Sequence, residues 1–510
     1  MNPDPNPDLN AGRRTAELAA LEADPRVDVL VIGGGVTGTG IALDAVSRGL
    51  SVVLAERADL ANGTSRWSSK LVHGGLRYLA SGGVGIAYES AVERGILLER
   101  TAPHLVHPLP QLIPLLPGVS KSESALVRAG YLAGDALRTA ARTSPATLPR
   151  SRRVRPSLVR RLAPTVRGEG LRGGLVFWDG QLTDDARLVT ALARTAAAHG
   201  ARVLTRCAAG AVTGDGAVLR DTIGGRGIQV RARAVVNAAG VWAGELAEGV
   251  RLRPSRGTHL VFPSSEFGGL TAGLTIPVPG ERNRFVFALP ARDGRVYVGL
   301  TDEEAEGPIP DVPEASAAEI DFLLDTVNSA LAEPLDRARL LGTYSGLRPL
   351  LDTGGGRTAD VSREHSVLHG TDGLITIVGG KLTTYRRMAQ DAVDAAVGSR
   401  NLAAGPCRTK RLPLVGATPR GRLASVPAPA RLVRAYGTEA PRVLAEAHGD
   451  PELLAPIAEG TTVTGAELRF AIRNEGALLA EDVLDRRTRI GLDPELRAHV
   501  LPLVARYFPD

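Results

Sequence analysis

A chain of 510 residues exceeds what one hydrophobic core usually organises, so we expect two or three domains. Its apolar fraction of 44% and charged fraction of 23% are ordinary for a globular protein. The net charge of +6 suits an anionic partner, such as a phosphorylated metabolite, a dinucleotide or an acidic membrane, although arginines spread over a large surface would give the same excess. Two cysteines without metal-ligand spacing exclude a disulfide framework and a zinc site, so we expect no bound metal and a reducing compartment.

The first 26 residues are rich in Pro, Asn and Asp and lack the cationic start and apolar core of a secretory signal. We expect residues 1–25 to form a flexible leader that ends in a short helix at 14–23. The chain contains no apolar run of about 18 residues, so no helix is expected to span a bilayer. Any membrane contact would be peripheral.

An apolar, β-branched run at 27–32 is typical of a strand buried on both faces. A glycine-rich turn, a helix to about Arg48 and a second strand at 51–55 complete one βαβ unit. A polar, glycine-rich loop is expected at 62–82, and a Pro-containing linker near 405–430 precedes a helix-rich tail. Helices are predicted at 86–101, 124–142, 184–200 and 381–397, and strands at 201–206, 209–214, 217–221, 228–232, 234–238 and 374–378, with a hairpin within 284–301.

Gly33, Gly35 and Gly38 form the pattern GxGxxG between the first predicted strand and a helix. The first glycine permits a tight turn, the second lets the backbone approach a pyrophosphate, and the third lets the helix pack on the strand. The helix N-terminus offers free N–H groups to phosphates, and Glu56 ends the next strand, where a carboxylate can accept from a ribose hydroxyl. These features predict dinucleotide binding; the alternative is a tight turn with Glu56 on the surface.

Two later segments distinguish a nicotinamide from a flavin. The passage LITIVGGK (374–381) is expected to return to the same sheet, and AVVNAAG (234–240) is a third candidate for close backbone approach. A ligand contacted by three remote segments is enclosed. Enclosure favours a retained flavin over an exchanging nicotinamide.

Five longer motifs resemble those of the FAD-dependent glycerol-3-phosphate dehydrogenases of the aerobic, flavoprotein type. They are IGGGVTGTGIALDAVSRG (32–49), SSKLVHGGLRYL (68–79), DDARL (184–188), TYSGLRPL (343–350) and GGKLTTYRRMA (379–389). The resemblance spans about residues 27–400. It implies an α/β (mixed α+β) fold with a glutathione-reductase-like, FAD-binding Rossmann domain, a substrate domain built on an antiparallel sheet and a helical C-terminal domain.

The implied domains have approximate boundaries. The FAD-binding domain, within 26–404, would be discontinuous, and the substrate-binding domain would be inserted into it. We expect the FAD-binding domain to comprise about 26–100, 150–250 and 340–404, the substrate-binding domain about 101–149 and 251–339, and the C-terminal domain 405–510.

The resemblance also implies a reaction. The protein would oxidise sn-glycerol 3-phosphate to dihydroxyacetone phosphate by hydride transfer to bound FAD and pass the electrons to a quinone or another acceptor. It would be cytoplasmic and associate peripherally with the inner face of the cell membrane. The alternative is a glycerol-3-phosphate oxidase that uses oxygen and produces hydrogen peroxide. The middle of the chain lacks the long insertion that we associate with the oxidases, which favours the dehydrogenase.

The motifs and the glycine passages indicate which residues bind the cofactor. We expect the cofactor-binding residues to be Gly33, Gly35, Gly38, Glu56, Ser68, Ser69, Lys70, Asn237, Gly240, Gly379 and Gly380. Trp67 stands where a small residue is expected, and we expect it to cap the pocket rather than to stack near the flavin.

The planar fork of an arginine matches phosphate oxygens bidentately. In the motif positions, the substrate-binding candidates are Arg348, Arg77 with Tyr78, and Arg363, while Lys381 follows the glycines beside the presumed flavin. For any one arginine taken alone, a surface salt bridge is the alternative.

Histidine titrates near neutrality and is the natural catalytic base. His73, in VHGGLRY, is the favoured candidate, and His259, on the predicted strand GTHLVF, is the second. The other of the two would bind substrate or orient the flavin. Lys381 could stabilise the developing alkoxide.

The stretch 138–172 carries ten arginines. Together with Leu126, Leu132 and Leu137 it predicts reversible association with anionic membranes. It lacks interleaved aromatic residues and any nucleic-acid-binding signature, so we expect no nucleic-acid partner. The oligomeric state stays open, with a homodimer as one candidate.

Overall fold

A computed structural model describes residues 6–80, 82–117, 119–281, 284–352, 354 and 364–508. The strands are β1 Arg26–Ile32, β2 Val52–Ala55, β3 Leu71–Val72, β4 Val106–Pro114, β5 Arg152–Val154, β6 Gly174–Leu182, β7 Arg202–Leu204, β8 Cys207–Thr213, β9 Gly216–Asp221, β10 Gly227–Asn237, β11 Leu252–Pro263, β12 Gly273–Pro277, β13 Phe285–Pro290, β14 Arg295–Gly299, β15 Glu303–Glu304, β16 Gly342–Leu351, β17 His365–His369 and β18 Ile375–Gly379. The helices are α1 Ala11–Ala23, α2 Val36–Ser47, α3 Leu76–Ala80, α4 Val84–Ile96, α5 Lys121–Ala140, α6 Pro156–Leu162, α7 Asp185–Ala198, α8 Ala243–Leu246, α9 Ala317–Asn328, α10 Tyr385–Arg400, α11 Arg420–Leu423, α12 Ala430–Tyr436, α13 Ala440–Ala445, α14 Gly465–Asn474, α15 Ala480–Asp482 and α16 Pro494–Ala505.

The first sheet has the strand order β17-β18-β10-β1-β2-β7, and β9 and β8 extend it beside the first half of β10. β7, β2, β1, β10 and β18 run parallel. One face packs on α2, α7 and α10, and the other packs on α1 and on β8 and β9. Burial on both faces explains the continuous apolar sequence of β1 and β2, and the predicted βαβ unit is confirmed.

Residues 6–25 pack against the rest of the protein, so the expected flexible leader is wrong for these residues. The predicted helix is confirmed as α1, capped by the side chain of Asn10. Leu18 and Leu21 are buried in the core beneath the first sheet, and the Arg14 guanidinium pairs with Asp221 at 2.5 Å. The polar composition obscured this outcome because only two leucines on one face anchor the helix.

The second sheet has the order β15-β11-β14-β13-β12-β4-β6-β3, with β16 on β11 and β5 on β6. Its described pairings are antiparallel except for β12 with β4, and the predicted hairpin is confirmed as β13 and β14. α9 covers one face with Leu323, Leu324 and Val327. The other face carries most of the candidate site described below.

The second sheet also takes strands from segments that we expected in the FAD-binding domain. β3, β5, β6 and β16 all pair within it, so the expected boundaries are wrong at these strands. Alternating or apolar sequence predicts a strand, but it does not predict which sheet the strand joins. β10 is likewise one strand where two were predicted, at 228–232 and 234–238.

The C-terminal region is helical, as expected, and builds its own apolar clusters around α12, α13, α14 and α16. Among the described residues, no helix is both long and apolar enough to cross a membrane.

Candidate active site between the two sheets

The turn between β1 and α2 is built for close backbone packing. Gly33 has φ +113°, and a Cβ on it would lie 2.5 Å from the Ala238 carbonyl oxygen. A Cβ on Gly38 would lie 1.9 Å from the Gly33 carbonyl oxygen. Gly35 is the N-cap residue of α2 and has no side chain of its own to cover the first N–H groups, although the Val36 N–H donates to the Ser65 hydroxyl at 2.9 Å. This turn can therefore receive a pyrophosphate at the helix N-terminus.

Glu56 follows β2 directly and lies beside this turn. Its carboxylate accepts the Gly34 N–H at 2.6 Å and the Ala58 N–H at 2.8 Å. Burial raises the pKa of Glu56 above its ordinary value, against the effect of these two hydrogen bonds. The side chain is buried, which excludes the alternative of a surface glutamate.

The ends of β10 and β18 meet the end of β1, as the sequence predicted. Ile32, Asn237 and Thr376 are in register across the three strands. The Asn237 side chain points inward and donates to the Ala243 carbonyl at 2.9 Å, so it shapes the turn that leads to Gly240.

Gly379 and Gly380 both have φ +77° at the end of β18. A Cβ on Gly379 would lie 2.6 Å from the Glu364 carbonyl oxygen, and a Cβ on Gly380 would lie 2.4 Å from the sulfur of Met388. The glycines are therefore required by close packing as well as by their backbone conformation.

Residues 64–70, here called the serine loop, connect the first sheet to the second. The Ser68 N–H and hydroxyl donate to Asp185 Oδ2 at 2.9 and 2.7 Å. Lys70 is buried, and its ammonium donates to the carbonyls of Arg66 and Ser68 at 3.1 and 3.0 Å. Burial lowers the pKa of Lys70 to about 8, although Asp185 opposes that shift. Lys70 therefore organises the serine loop from inside.

His259 lies on β11 under the serine loop. Its Nε2 is 2.8 Å from the Ser69 hydroxyl, and its ring stacks on Tyr344 with centroids 4.6 Å apart. Its Nδ1 is buried and has no hydrogen-bond partner among the described residues. Burial lowers the pKa of His259 well below its ordinary value, and Lys70 and Arg348 add to the effect. This shift favours the neutral imidazole.

β16 lies beside β11 and presents Arg348 on the face that carries His259. In the strand register His259 is opposite Tyr344, and Ser255 is opposite Arg348. The glycine pair Gly257 and Gly346 separates them, and a Cβ on Gly257 would lie 2.3 Å from a guanidinium nitrogen of Arg348. Glycine thus leaves space over which the guanidinium extends.

Arg348 lies within β16. Its guanidinium donates to the Ser255 hydroxyl at 2.9 Å and the Thr301 carbonyl at 3.1 Å. It also lies 3.3 Å from Asp302 Oδ1. These contacts orient the fork while its side chain keeps 19% of its surface exposed.

His73 follows β3 and leaves half of its side-chain surface exposed. Its Nδ1 is 3.3 Å from Asp179 Oδ2. The buried Asp179 also accepts from the Gly74 N–H at 3.0 Å and from Arg94 at 2.7 Å. Burial tends to raise the pKa of Asp179, but Arg94 and His73 outweigh it and hold that pKa below its ordinary value. A fixed carboxylate therefore orients the His73 ring and leaves Nε2 directed away from it.

Lys381 lies close to the segment after β3 that carries His73. Its ammonium donates to the Ser90 hydroxyl at 2.9 Å and lies 3.7 Å from the ring centroid of Tyr78. Gly75 packs on α4 beside the same Ser90, with a Cβ position 3.1 Å from its side chain. The structure therefore brings Tyr78, His73 and Lys381 to one region.

The structure does not describe the side chains of two substrate-binding candidates. The Arg77 side chain and all of Arg363 lie outside the described residues. Trp67 is described, and its ring stacks on Tyr344 with centroids 5.9 Å apart and an interplanar angle of 24°.

The residues that orient the candidates could not be assigned from the sequence. These partners are Asp179 for His73, Ser90 for Lys381, Ser255 and Asp302 for Arg348, and Asp185 for the serine loop. Asp179 offered one signal, since a carboxylate inside the apolar run LVFWDGQL requires a buried partner. Asp185 lies in the DDARL motif but was given no role there, and Ser90, Ser255 and Asp302 look like ordinary surface residues until the fold is known.

Comparisons with known proteins agree with this geometry. Residues 28–386 match the family model for FAD dependent oxidoreductases, and residues 407–510 match the model for the C-terminal domain of alpha-glycerophosphate oxidase. Over 506 residues, the chain is 58% identical to glycerol-3-phosphate dehydrogenase 1 of Mycobacterium tuberculosis, which covers 98% of both chains.

Solved structures show the same similarity. The glycerol-3-phosphate dehydrogenase from Bacillus halodurans complexed with FAD matches with a TM-score of 0.74 and 28% identity, over 98% of this chain and 94% of that chain. The FAD-bound L-alpha-glycerophosphate oxidase from Mycoplasma pneumoniae shares the fold with a TM-score of 0.57 and 17% identity, over 76% of this chain and 99% of that chain.

Proposed function

Since the chain belongs to the FAD-dependent oxidoreductases, in the glycerol-3-phosphate dehydrogenase family, we propose that it oxidises sn-glycerol 3-phosphate to dihydroxyacetone phosphate. The residues present fit FAD: the turn at Gly33 admits no side chain, and the buried carboxylate of Glu56 lies beside it. When bound, FAD supplies the acceptor for the hydride that leaves carbon 2 of the substrate.

The observation that carries the proposal is the pairing of His73 with Asp179 in the region that also holds Lys381. In this assignment the Nε2 of His73 takes the proton of the substrate hydroxyl, and Asp179 holds the ring in the required tautomer. Lys381 stabilises the negative charge that develops on the substrate oxygen. Burial lowers the pKa of His259 well below its ordinary value, and we assign it the role of orienting substrate or flavin.

The substrate phosphate binds Arg348 in this proposal. A guanidinium fork held by Ser255 and Asp302 matches two phosphate oxygens at once. Arg77, Tyr78 and Arg363 complete the phosphate site as the motifs indicate. The cofactor is held by the glycines at 33–38, by Glu56, by Ser68 and Ser69, and by Gly379 and Gly380.

Anaerobic bleaching tests the reaction. The purified, yellow protein should lose its flavin absorption on addition of glycerol 3-phosphate and should regain it on addition of a quinone analogue. Protein that cannot be loaded with FAD, or that does not bleach with this substrate, would contradict the proposal.

We propose a quinone as the electron acceptor and a peripheral position on the inner face of the cell membrane. Exposed apolar side chains support this, since Val84 and Tyr88 on α4 and Leu126 and Leu132 on α5 are 46–69% exposed. These helices pack against each other and against α3, which carries Tyr78. An acceptor dissolved in lipid would thus reach the protein one helix from the site.

Arginines in 138–172 support the same proposal. Arg138 is buried against the Thr143 carbonyl and Leu137 is half-buried, but the other nine arginines of the stretch are exposed. An apolar patch with adjacent cations gains both burial and attraction on an anionic bilayer. Leu126→Glu with Leu132→Glu should weaken binding to anionic liposomes at low salt, and no binding by the unmodified protein would contradict the assignment.

Two further points belong to the proposal. A high yield of peroxide in air, with slow reduction of a quinone analogue, would favour the oxidase alternative. The oligomeric state stays open, with a homodimer as one candidate, and light scattering on the FAD-loaded protein measures it.

A further inference from the structure

A segment of the C-terminal domain reaches the serine loop across a separation of 423 residues. A π-helical turn, Val483–Arg487, precedes Arg489, which has a left-handed backbone with φ 65°. The Arg489 side chain is only 1% exposed, so it lies in the interior. The family match assigns this region to a separate domain, and the Arg489 side chain nevertheless reaches the serine loop.

Arg489 contacts the serine loop directly. One guanidinium nitrogen donates to the Arg66 carbonyl at 2.5 Å, and its Nε lies 3.1 Å from Asp184 Oδ2. The guanidinium carbon lies 5.1 Å from the ring centroid of Trp67. The guanidinium fork therefore contacts three groups of the FAD-binding domain: the Arg66 carbonyl, the Asp184 carboxylate and the Trp67 ring. The ammonium of a lysine at this position could not contact all three.

The serine loop passes this restraint to His259. Ser69, three residues after Arg66, makes the 2.8 Å contact with His259 Nε2. Leu492, from the same C-terminal segment, packs in one cluster with Tyr344, on which His259 stacks. Both neighbours of the imidazole are thus supported from the C-terminal domain.

We propose that Arg489 is a positioning residue of the active site, which holds the serine loop so that Ser69 keeps its contact with His259. Arg489 acts through the loop and need not touch substrate or cofactor. The role explains why a domain outside the cofactor-binding fold contributes a fully buried arginine at this position. The kinetic part of the test rests on the proposed oxidation of glycerol 3-phosphate, whereas the exchange part does not.

The first test compares the FAD-loaded wild type with Arg489→Lys, which keeps the charge opposite Asp184. Loss of a charge-assisted hydrogen bond should lower kcat about 10- to 100-fold, with a change in KM below about 3-fold. Hydrogen–deuterium exchange of peptides covering the serine loop should become faster. The matched control is Arg497→Lys, since Arg497 pairs with Asp485 in the same segment at 2.8 Å. Its kcat and its exchange should equal those of the wild type.

A double-mutant cycle separates positioning from general stability. The Ser69 hydroxyl is the link between the serine loop and His259. When Ser69→Ala has already removed that link, adding Arg489→Lys should lower kcat by less than about a further 2-fold. Independent, fully additive losses would overturn the proposal. So would unchanged exchange of the serine loop in Arg489→Lys.

A second variant covers the case in which Arg489→Lys does not fold. Asp184→Asn removes the charge partner but keeps an N-cap for α7, because Asn caps as well as Asp. Hydrogen–deuterium exchange of the serine loop should also be faster in this variant than in the wild type. Exchange as slow as that of the wild type would contradict the proposal. If the wild type fails to bleach with glycerol 3-phosphate, the proposed function fails while the exchange comparison still decides the role of Arg489.

Discussion

The guanidinium of Arg348 is oriented by the protein itself, through Ser255, Asp302 and the Thr301 carbonyl. Arg348→Lys retains one positive charge but loses the planar fork. If Arg348 binds the substrate phosphate, this change should weaken binding of glycerol 3-phosphate by about 10- to 150-fold, the loss expected for one charge-assisted contact. Steady-state kinetics with glycerol 3-phosphate measure it as an increase in KM.

Glycerol is the control substrate for Arg348, because it has no phosphate. Its weak turnover should be nearly equal in wild type and Arg348→Lys, and the flavin spectrum should not change. Equal damage with both substrates would show that Arg348 supports the fold of β16 and not the phosphate.

His73 and His259 can be distinguished by substitution with Asn, which keeps a polar side chain of similar size. Loss of a general base typically lowers the rate about 10²- to 10⁴-fold, so His73→Asn should lower kcat in that range with FAD retained. His259→Asn should act more on KM or on the flavin spectrum. Stopped-flow measurement of flavin reduction separates the two.

Asp179→Asn provides the related control, since it removes the carboxylate that orients His73 while its neighbour Arg94 remains. A loss in kcat with little change in KM is expected. A larger effect from His259→Asn than from His73→Asn on the rate of flavin reduction would reverse the assignment of the base.

At the scale of elements, two glycines of the turn between β1 and α2 have different roles. Gly35 leaves space for a ligand, whereas Gly38 is required by the packing of the backbone. Gly35→Val adds a side chain at the N-terminus of α2, where a Cβ would meet only the Ser65 hydroxyl, at 3.0 Å. The protein should fold but lose FAD, because the new side chain occupies the space of the pyrophosphate. Absorbance of bound flavin and circular dichroism measure the two properties.

Gly38→Ala is the contrasting substitution, since its Cβ would overlap the Gly33 carbonyl. It should reduce the thermal stability of the apoprotein itself. FAD retention by Gly35→Val, or a stable Gly38→Ala apoprotein, would contradict this division of roles.

At the scale of the whole molecule, buried ion pairs join the C-terminal domain to the FAD-binding domain. Asp59 pairs with Arg486 at 2.6 Å and with Arg487 at 2.8 Å. Burial tends to raise the pKa of Asp59, but Arg487 and Arg486 outweigh it and lower that pKa to about 2. In the unfolded chain an aspartate titrates near pH 4, approximately.

A lowered pKa in the folded protein means that the Asp59 carboxylate stabilises the fold above about pH 4, and that this contribution is lost as the pH falls towards 2. It amounts to about 2 kcal/mol. Asp59→Asn should cost about 3–5 kcal/mol near neutrality, because Arg487 stays buried without a carboxylate partner and Arg486 keeps only its pair with Asp482. Its Tm should also fall less than that of the wild type between pH 4 and pH 3, as calorimetry would measure.

The control is Asp321→Asn, which removes an exposed pair with Arg337. Its Tm should follow that of the wild type at every pH, since exposed pairs contribute about 0–1 kcal/mol. A pH profile of Asp59→Asn that is parallel to the wild type would show that Asp59 does not carry this dependence.

Local sequence was sufficient for the elements to which we assign the cofactor. The local signals all lie within about 30 residues, approximately the length of one βαβ unit. They are the apolar, β-branched sequence of β1, the glycines at 33–38 and the carboxylate of Glu56. Such a unit specifies its own turn and strand direction through backbone geometry. For the same reason the convergence of β10 and β18 on β1 could be predicted, because their glycines mark close backbone approach.

Tertiary structure alone decided which side chains meet. His73 contacts Asp179 across a separation of 106 residues, and Ser69 contacts His259 across 190 residues. Arg489 contacts Arg66 across 423 residues. No periodicity encodes such pairs, because a strand pattern predicts a face but neither the sheet nor the register. The partner of each candidate residue is set by how the two sheets and the C-terminal domain pack, since only packing brings polar groups so remote in sequence within hydrogen-bond distance.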